Sequence, residues 1–184
     1  MRLLGQVTAD KLGAAHGYSV SVMSRLDSFI RRMQAQRDLL DATPALIQGV
    51  EGPILELGLG NGRTYDHLRW RHPDREIFVF ERQPAAHPNC IPDADHLIVG
   101  DIRDTLPRAL ERLPGPAALV HNDIGTGDPA INVEIAAWLA DALPRIMQHR
   151  AVIVSDQPLE HALLERLPLP GMLPAERYFL YRRL

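Results

Sequence analysis

The stretch Ile54-Leu55-Glu56-Leu57-Gly58-Leu59-Gly60-Asn61-Gly62 decides the architecture of this chain. Its first four residues form a short apolar run broken only by Glu56, and a segment of helical character, Arg63 to Arg71, follows the last glycine. Glycines between a strand and a helix let the backbone turn sharply and approach a ligand closely. The helix N-terminus behind them offers unpaired N–H groups. A dinucleotide-binding turn needs Gly or Ala where Arg63 stands, for close packing of helix on sheet. Arg63 is bulky and charged. Glu56 would repel a pyrophosphate but suits a cationic ligand bearing an ammonium group. A nicotinamide-dependent oxidoreductase is therefore disfavoured.

Outward from this turn, short apolar runs alternate with helical or irregular stretches. The runs are Ile77-Phe78-Val79-Phe80, Leu97-Ile98-Val99, Ala118-Leu119-Val120 and Val152-Ile153-Val154. Continuous apolar runs suit strands buried on both faces, as in a parallel sheet. Helices are predicted at Arg63 to Arg71, Pro107 to Leu113, Pro129 to Leu143 and Pro158 to Leu167, with Asp128 a good N-cap before Pro129. This alternation, over about 110 residues, predicts the α/β class: a doubly wound, Rossmann-like, mostly parallel sheet with helices on both faces. Arg177 to Arg182 reads as an antiparallel C-terminal strand, and its charged ends suit an edge. Pro84, Pro88 and Pro92 predict a loop or single turn over Arg82 to Asp95.

Before the first strand, Val22, Leu26, Phe29, Ile30, Met33 and Leu40 fall at helical spacing, with Gln36 between them. They predict a helix from Ser21 to Ala42, with Ser24 and Asp27 as a capping pair and Pro44 as its stop. The chain then reads as a single domain over 1–184, with an N-terminal helical extension at 1–50 and an α/β core at 51–184. The extension would act as a lid, carrying His16 and Tyr18 beside Gly13 and Gly17. Its apolar stripe would pack on the core or pair with its copy in a homodimer.

At 184 residues, with 46% hydrophobic and 23% charged residues, the chain can form one sizeable core without disulfides. Cys90 is the only cysteine, which suits a reducing cytoplasm. Twenty basic residues against twenty-three acidic ones give a net charge of -3, so neither nucleic acid nor an anionic membrane is an expected partner. No apolar run approaches the roughly 20 residues of a membrane helix. The N-terminal segment is interrupted by Gln6, Thr8, Asp10 and Lys11 and fails as a signal peptide.

Glu56 followed by Gly58-x-Gly60-x-Gly62 resembles the first motif of class I S-adenosylmethionine-dependent methyltransferases, specifically the small bacterial single-domain type of unassigned substrate. The resemblance covers roughly Ile54 to Leu184. It implies S-adenosyl-L-methionine as cofactor and S-adenosyl-L-homocysteine as product. It implies a cofactor site built from Glu56, Gly58, Gly60, Asn61, Gly62, Glu81, Arg82, Asp101, Ile102 and Asp123. Glu81 would accept hydrogen bonds from both ribose hydroxyls, Asp101 would take the adenine amino group, and the Ile102 N–H would bond the ring. The Pro-rich stretch after Glu81 departs from the family, which usually has a helix there.

The fourth strand ends in His121-Asn122-Asp123, facing the methyl-transfer end of the site. Asp123 is the candidate base or acceptor-orienting group, unless it only bonds loop amides as a turn residue. His121 and Asn122 come next, and only one of them can share its direction if the strand pleat persists. Thr126, with His16 and Tyr18, would meet the substrate. The expected activity is in-line methyl transfer to an unidentified small-molecule acceptor. One alternative is a protein that binds the cofactor without catalysis. Another is a magnesium-dependent O-methyltransferase, because Asp123 and Asp156-Gln157 approximate an Asp…Asp-Asn layout, with Gln a departure. No Asn-Pro-Pro-Tyr segment follows the fourth strand, so base methylation of nucleic acid is not indicated.

Overall fold

A computed structural model of the chain describes residues 24–171 and 178–184. Its strands are β1 Ile54–Leu57, β2 Ile77–Glu81, β3 Leu97–Val99, β4 Ala117–Asn122, β5 Met147–Ser155, β6 Leu164–Leu167 and β7 Phe179–Arg183. They form one seven-stranded sheet in the order β3-β2-β1-β4-β5-β7-β6. The first five strands run parallel, β7 is antiparallel to β5, and β6 is antiparallel to β7. All of β1 and all of β4 are buried, as their unbroken apolar runs require. The order reverses between β1 and β4, which opens a crevice at the carboxyl ends of these strands.

Among the described residues four α-helices accompany the sheet: α1 Arg25–Leu46, α2 Arg63–Arg71, α3 Ile102–Thr105 and α4 Pro129–Ala142. Gln36 of α1 touches His121, whereas the next residue, Asn122, shares a small space with Ile135, Ala136 and Leu139 of α4. Because neighbouring strand residues point to opposite faces, α1 and α4 cover opposite sides of the sheet. No helix among the described residues is long and apolar enough to cross a membrane.

Several local expectations are corrected. Pro44 does not stop α1 but lies inside it. Proline there removes one donor, the N–H that would bond the Leu40 carbonyl. The Thr43 hydroxyl donates to that carbonyl instead, at 2.6 Å, so the last turn survives. Ser24 does cap the helix, accepting from the Asp27 N–H at 3.0 Å. The buried face of α1 is Ala35, Gln36, Leu39, Leu40 and Thr43, whereas Leu26, Phe29 and Ile30 are exposed. Only the C-terminal half of the expected stripe therefore packs. The segment with His16 and Tyr18, and the lid assigned to it, lie outside the described residues.

Pro107 was expected to open a helix, but the helix begins earlier, capped by Asp101, and tightens into a 3₁₀ stretch at Leu106–Glu111. A proline ring clashes with the carbonyl four residues back, and the narrower 3₁₀ winding relieves it. No helix spans Pro158 to Leu167, because Leu164–Leu167 is strand β6. Nor is the C-terminal strand an edge, since β6 covers β7 and Glu165 stands opposite Arg182. An opposite-charge cross-strand pair lets β7 keep its charged end inside the sheet.

The contact between α1 and α2 contains a buried, titratable pair. The Thr43 hydroxyl hydrogen is committed to Leu40, so His72 Nε2 donates to Thr43 Oγ1 at 2.7 Å. Burial, with Arg75 and Arg71 nearby, lowers the His72 pKa to about 4. The unfolded chain protonates this imidazole near its ordinary value, and the folded chain does so only near 4. Stability is thus fully present above about 6.5 and falls as pH drops towards 4, by up to about 3 kcal/mol. We expect His72→Gln to flatten the pH dependence of urea unfolding across that window. An unchanged slope would show that His72 is not the titrating group.

Candidate functional site

The glycine turn is built by three residues with positive φ: Gly58 at 88°, Gly60 at 50° and Gly62 at 77°. At Gly58 a Cβ would lie 2.7 Å from Ile124 Cγ2 and 2.9 Å from the Asp123 carbonyl oxygen. At Gly62, the N-cap of α2, it would lie 2.5 Å from Cys90 Cβ. At Gly60 nothing lies within 4 Å, so that glycine faces open space. Glu81, at the end of β2, pins the turn. Its Oε2 accepts from the Leu59 N–H at 2.8 Å and the Gly60 N–H at 3.4 Å, and its Oε1 from the Gln83 N–H at 2.8 Å.

A cleft of about 750 Å³ opens beyond the strand ends. Gly58, Gly60, Glu81, Arg82, Asp101 and Ile102 line one end, and Asp123 and Thr126 line the other. Eight sequence-predicted residues thus meet in one cavity. Asn61 is exposed outside its lining, and Gly62 is buried against Cys90. Asp101 has a second task, because its carboxylate caps α3 by accepting from the Arg103 N–H at 2.9 Å.

Glu56 and His121 do not reach the cleft. Both side chains have no exposure, and they meet at 2.7 Å between Glu56 Oε2 and His121 Nδ1. The Thr64 hydroxyl, in the first turn of α2, donates to Glu56 Oε1. Burial works against a charge on His121, yet the Glu56 carboxylate, with Asp123 and Asp156 further off, outweighs it and raises the imidazole above its ordinary range. Asn122 points to the other face and donates to Ser155 Oγ at 2.9 Å. Of these two neighbours of Asp123, His121 shares its direction and Asn122 does not.

Asp123 and Asp156 follow the paired rung Asn122–Ser155 at the ends of neighbouring parallel strands. Burial first, and then the Asp123 charge, push the Asp156 carboxyl up to about 6. Gly125 leaves room for it, since a Cβ there would lie 2.6 Å from Asp156 Oδ2. Among the described residues no group of three or more His, Cys, Asp or Glu is arranged to hold a metal ion. Sequence reasoning missed Gln36, whose amide donates to Asp123 Oδ2 at 2.8 Å. The signal was available: Gln36 stands three and four residues before Leu39 and Leu40, so it shares their buried face. It also missed Arg103, Ile131, Glu134 and Ile135, which line the cleft from α3 and α4.

The model of an S-adenosyl-L-methionine methyltransferase family matches residues 23–183. An S-adenosyl-L-methionine methyl transferase from Silicibacter pomeroyi DSS-3 is 44% identical in sequence, over 88% of this chain and 99% of that one, with a TM-score of 0.82. CalS11, a TDP-rhamnose 3′-O-methyltransferase in calicheamicin biosynthesis, is 22% identical over 86% of this chain and 83% of its own, with a TM-score of 0.58. Cofactor-bound Rv0187 from MTB is 18% identical over 90% and 92%, with a TM-score of 0.54. The last two share the fold alone. No curated protein matches the chain.

The glycine turn can be tested by its asymmetry. We expect Gly60→Ala to cost only about 1 kcal/mol, the penalty of a left-handed conformation. Gly58→Ala should cost about 3 kcal/mol, because the added methyl also meets the Asp123 backbone. Equal losses in thermal unfolding would mean that the turn is not held against β4.

Proposed function

The chain belongs to the S-adenosyl-L-methionine methyltransferase family, with S-adenosyl-L-methionine as its cofactor, and from that premise we propose in-line methyl transfer to a small acceptor bearing a hydroxyl or amine. One observation carries this reading: a single cleft joins Glu81 and Asp101 to Asp123 across the reversal of strand order. When bound, the cofactor supplies a methyl carbon already activated by positive sulfur.

The protein's residues divide the work along the cleft. Glu81 retains acceptor capacity on two oxygens, which suits a vicinal ribose diol. Asp101 and the Ile102 N–H would hold the adenine, and the open space over Gly60 would admit the chain between ribose and sulfur. At the far end Asp123 would orient the acceptor and take its proton where one must leave. Asp123 and Glu134 line that end, which favours a neutral or cationic acceptor over an anionic one. Alignment alone can be worth roughly 7–11 kcal/mol, so a strong base is not required for every acceptor.

Radiolabelled methyl transfer from S-adenosyl-L-methionine into a fractionated metabolite pool tests the activity. Label that appears only in polymers, or nowhere, would overturn the small-acceptor reading. We expect Asp123→Asn to cut transfer by about 100-fold or more while leaving S-adenosyl-L-homocysteine affinity within about threefold. Loss of cofactor affinity with normal saturated turnover would reverse the assigned roles. Glu81→Ala should weaken S-adenosyl-L-homocysteine binding by about 1.5–3 kcal/mol in calorimetry. Unchanged affinity in a folded variant would remove Glu81 from the ribose.

A further inference from the structure

We propose that Gln36 of α1 is a positioning residue for methyl transfer, its side-chain amide spanning Asp123 and His121 so that the carboxylate is held in place and the imidazole stays neutral. The inference rests on the reading of Asp123 as the acceptor-side group.

Gln36 is 3% exposed, and its Nε2 lies 2.8 Å from Asp123 Oδ2 and 3.4 Å from His121 Nε2. An amide nitrogen offers two hydrogens and no lone pair. Turned over, the amide would set its oxygen against the Asp123 carboxylate, so the donor orientation is the favourable one. One hydrogen goes to Asp123. The other faces His121 Nε2, which must then accept. The single imidazole hydrogen is therefore on Nδ1 and is donated to Glu56 at 2.7 Å.

The arrangement opposes what the surrounding charges favour. Glu56 from β1, Asp123 from the end of β4 and Asp156 from the end of β5 all act on His121 in favour of its cation. From α1 the facing group is the uncharged Gln36 amide. A second imidazole hydrogen on Nε2 would point at an N–H donor. An imidazolium at this point would also stand beside Asp123 and weaken it as an acceptor of the substrate's hydrogen. With His121 neutral, no cation competes with the substrate's hydrogen for Asp123. Gln36 engages only Oδ2, and Oδ1 holds no hydrogen bond among the described residues.

The test uses the full chain, labelled with ¹⁵N-histidine and saturated with S-adenosyl-L-homocysteine at neutral pH. The His121 ring, assigned by its loss in His121→Gln, should show one protonated and one bare nitrogen. In Gln36→Leu and in Gln36→Met, which keeps the side-chain length but has no N–H donor, both nitrogens should become protonated. Methyl transfer into the metabolite pool should fall about tenfold or more, with S-adenosyl-L-homocysteine affinity within about threefold. A doubly protonated ring in the unaltered chain, or an unchanged ring in a folded variant, would overturn the proposal. If Gln36→Leu fails to bind S-adenosyl-L-homocysteine, Gln36→Met decides alone, since it keeps the side-chain length. Absence of transfer by the unaltered chain would count against the small-acceptor reading, and the ring signature would still decide the role of Gln36.

Discussion

A carboxylate with no exposure at all, Glu56, organises this molecule. A carboxylate left there without hydrogen-bond partners would cost several kcal/mol. Each group that satisfies Glu56 is therefore tied to its place. Thr64 fixes the first turn of α2 and with it the far end of the glycine turn. His121 fixes β4 against β1. Gln36, touching His121 from above, fixes α1 against the sheet. The motif's acidic residue thus acts beneath the cleft and reaches the site through other side chains.

The cleft inherits its shape from the same economy of groups. Glu81 holds the glycine turn through backbone N–H groups while it lines the cavity. Asp101 caps α3 while it lines the same cavity. Carboxylates held by backbone donors keep their orientation, because those bonds are directional and charge-assisted. The acidic residues at successive strand ends are in this sense parts of the scaffold, and a ligand would use the acceptor capacity that remains. Asp156 is different: burial, helped by the Asp123 charge, outweighs the donors that reach it and pushes it towards neutrality.

Where local signals misled, tertiary pairing accounts for the difference. Pro44 is a helix breaker only if the orphaned carbonyl finds no other donor, and Thr43 one residue earlier supplies one. Leu163, Leu164 and Leu167 fit helical spacing, yet β7 presents an open edge with a complementary charge at Arg182, and backbone pairing there outweighs a weak helical preference. In α1, Leu26, Phe29 and Ile30 continue the apolar stripe beyond the part of the helix that meets the sheet. A hydrophobic pattern states which residues can be buried, not how far the partner surface extends.

The sequence by itself determined the class of sheet, the position of the glycine turn, the carboxylates at the ends of β1, β2, β3 and β4, and the cofactor they resemble a site for. These are local facts: unbroken apolar runs, glycines between strand and helix, and acidic residues at or just past the strand ends. Only the tertiary structure decided which of those carboxylates face the cleft. Glu56 and Asp123 are similar as letters, but one is sealed under α1 and the other opens on the cavity. The role of Gln36 was likewise beyond the sequence, because its partners at Asp123 and His121 are 87 and 85 residues away. The physical reason is common to both cases. Burial and hydrogen-bond partnership are set by what packs over a residue, and the segment that packs over this strand end comes from before the sheet begins.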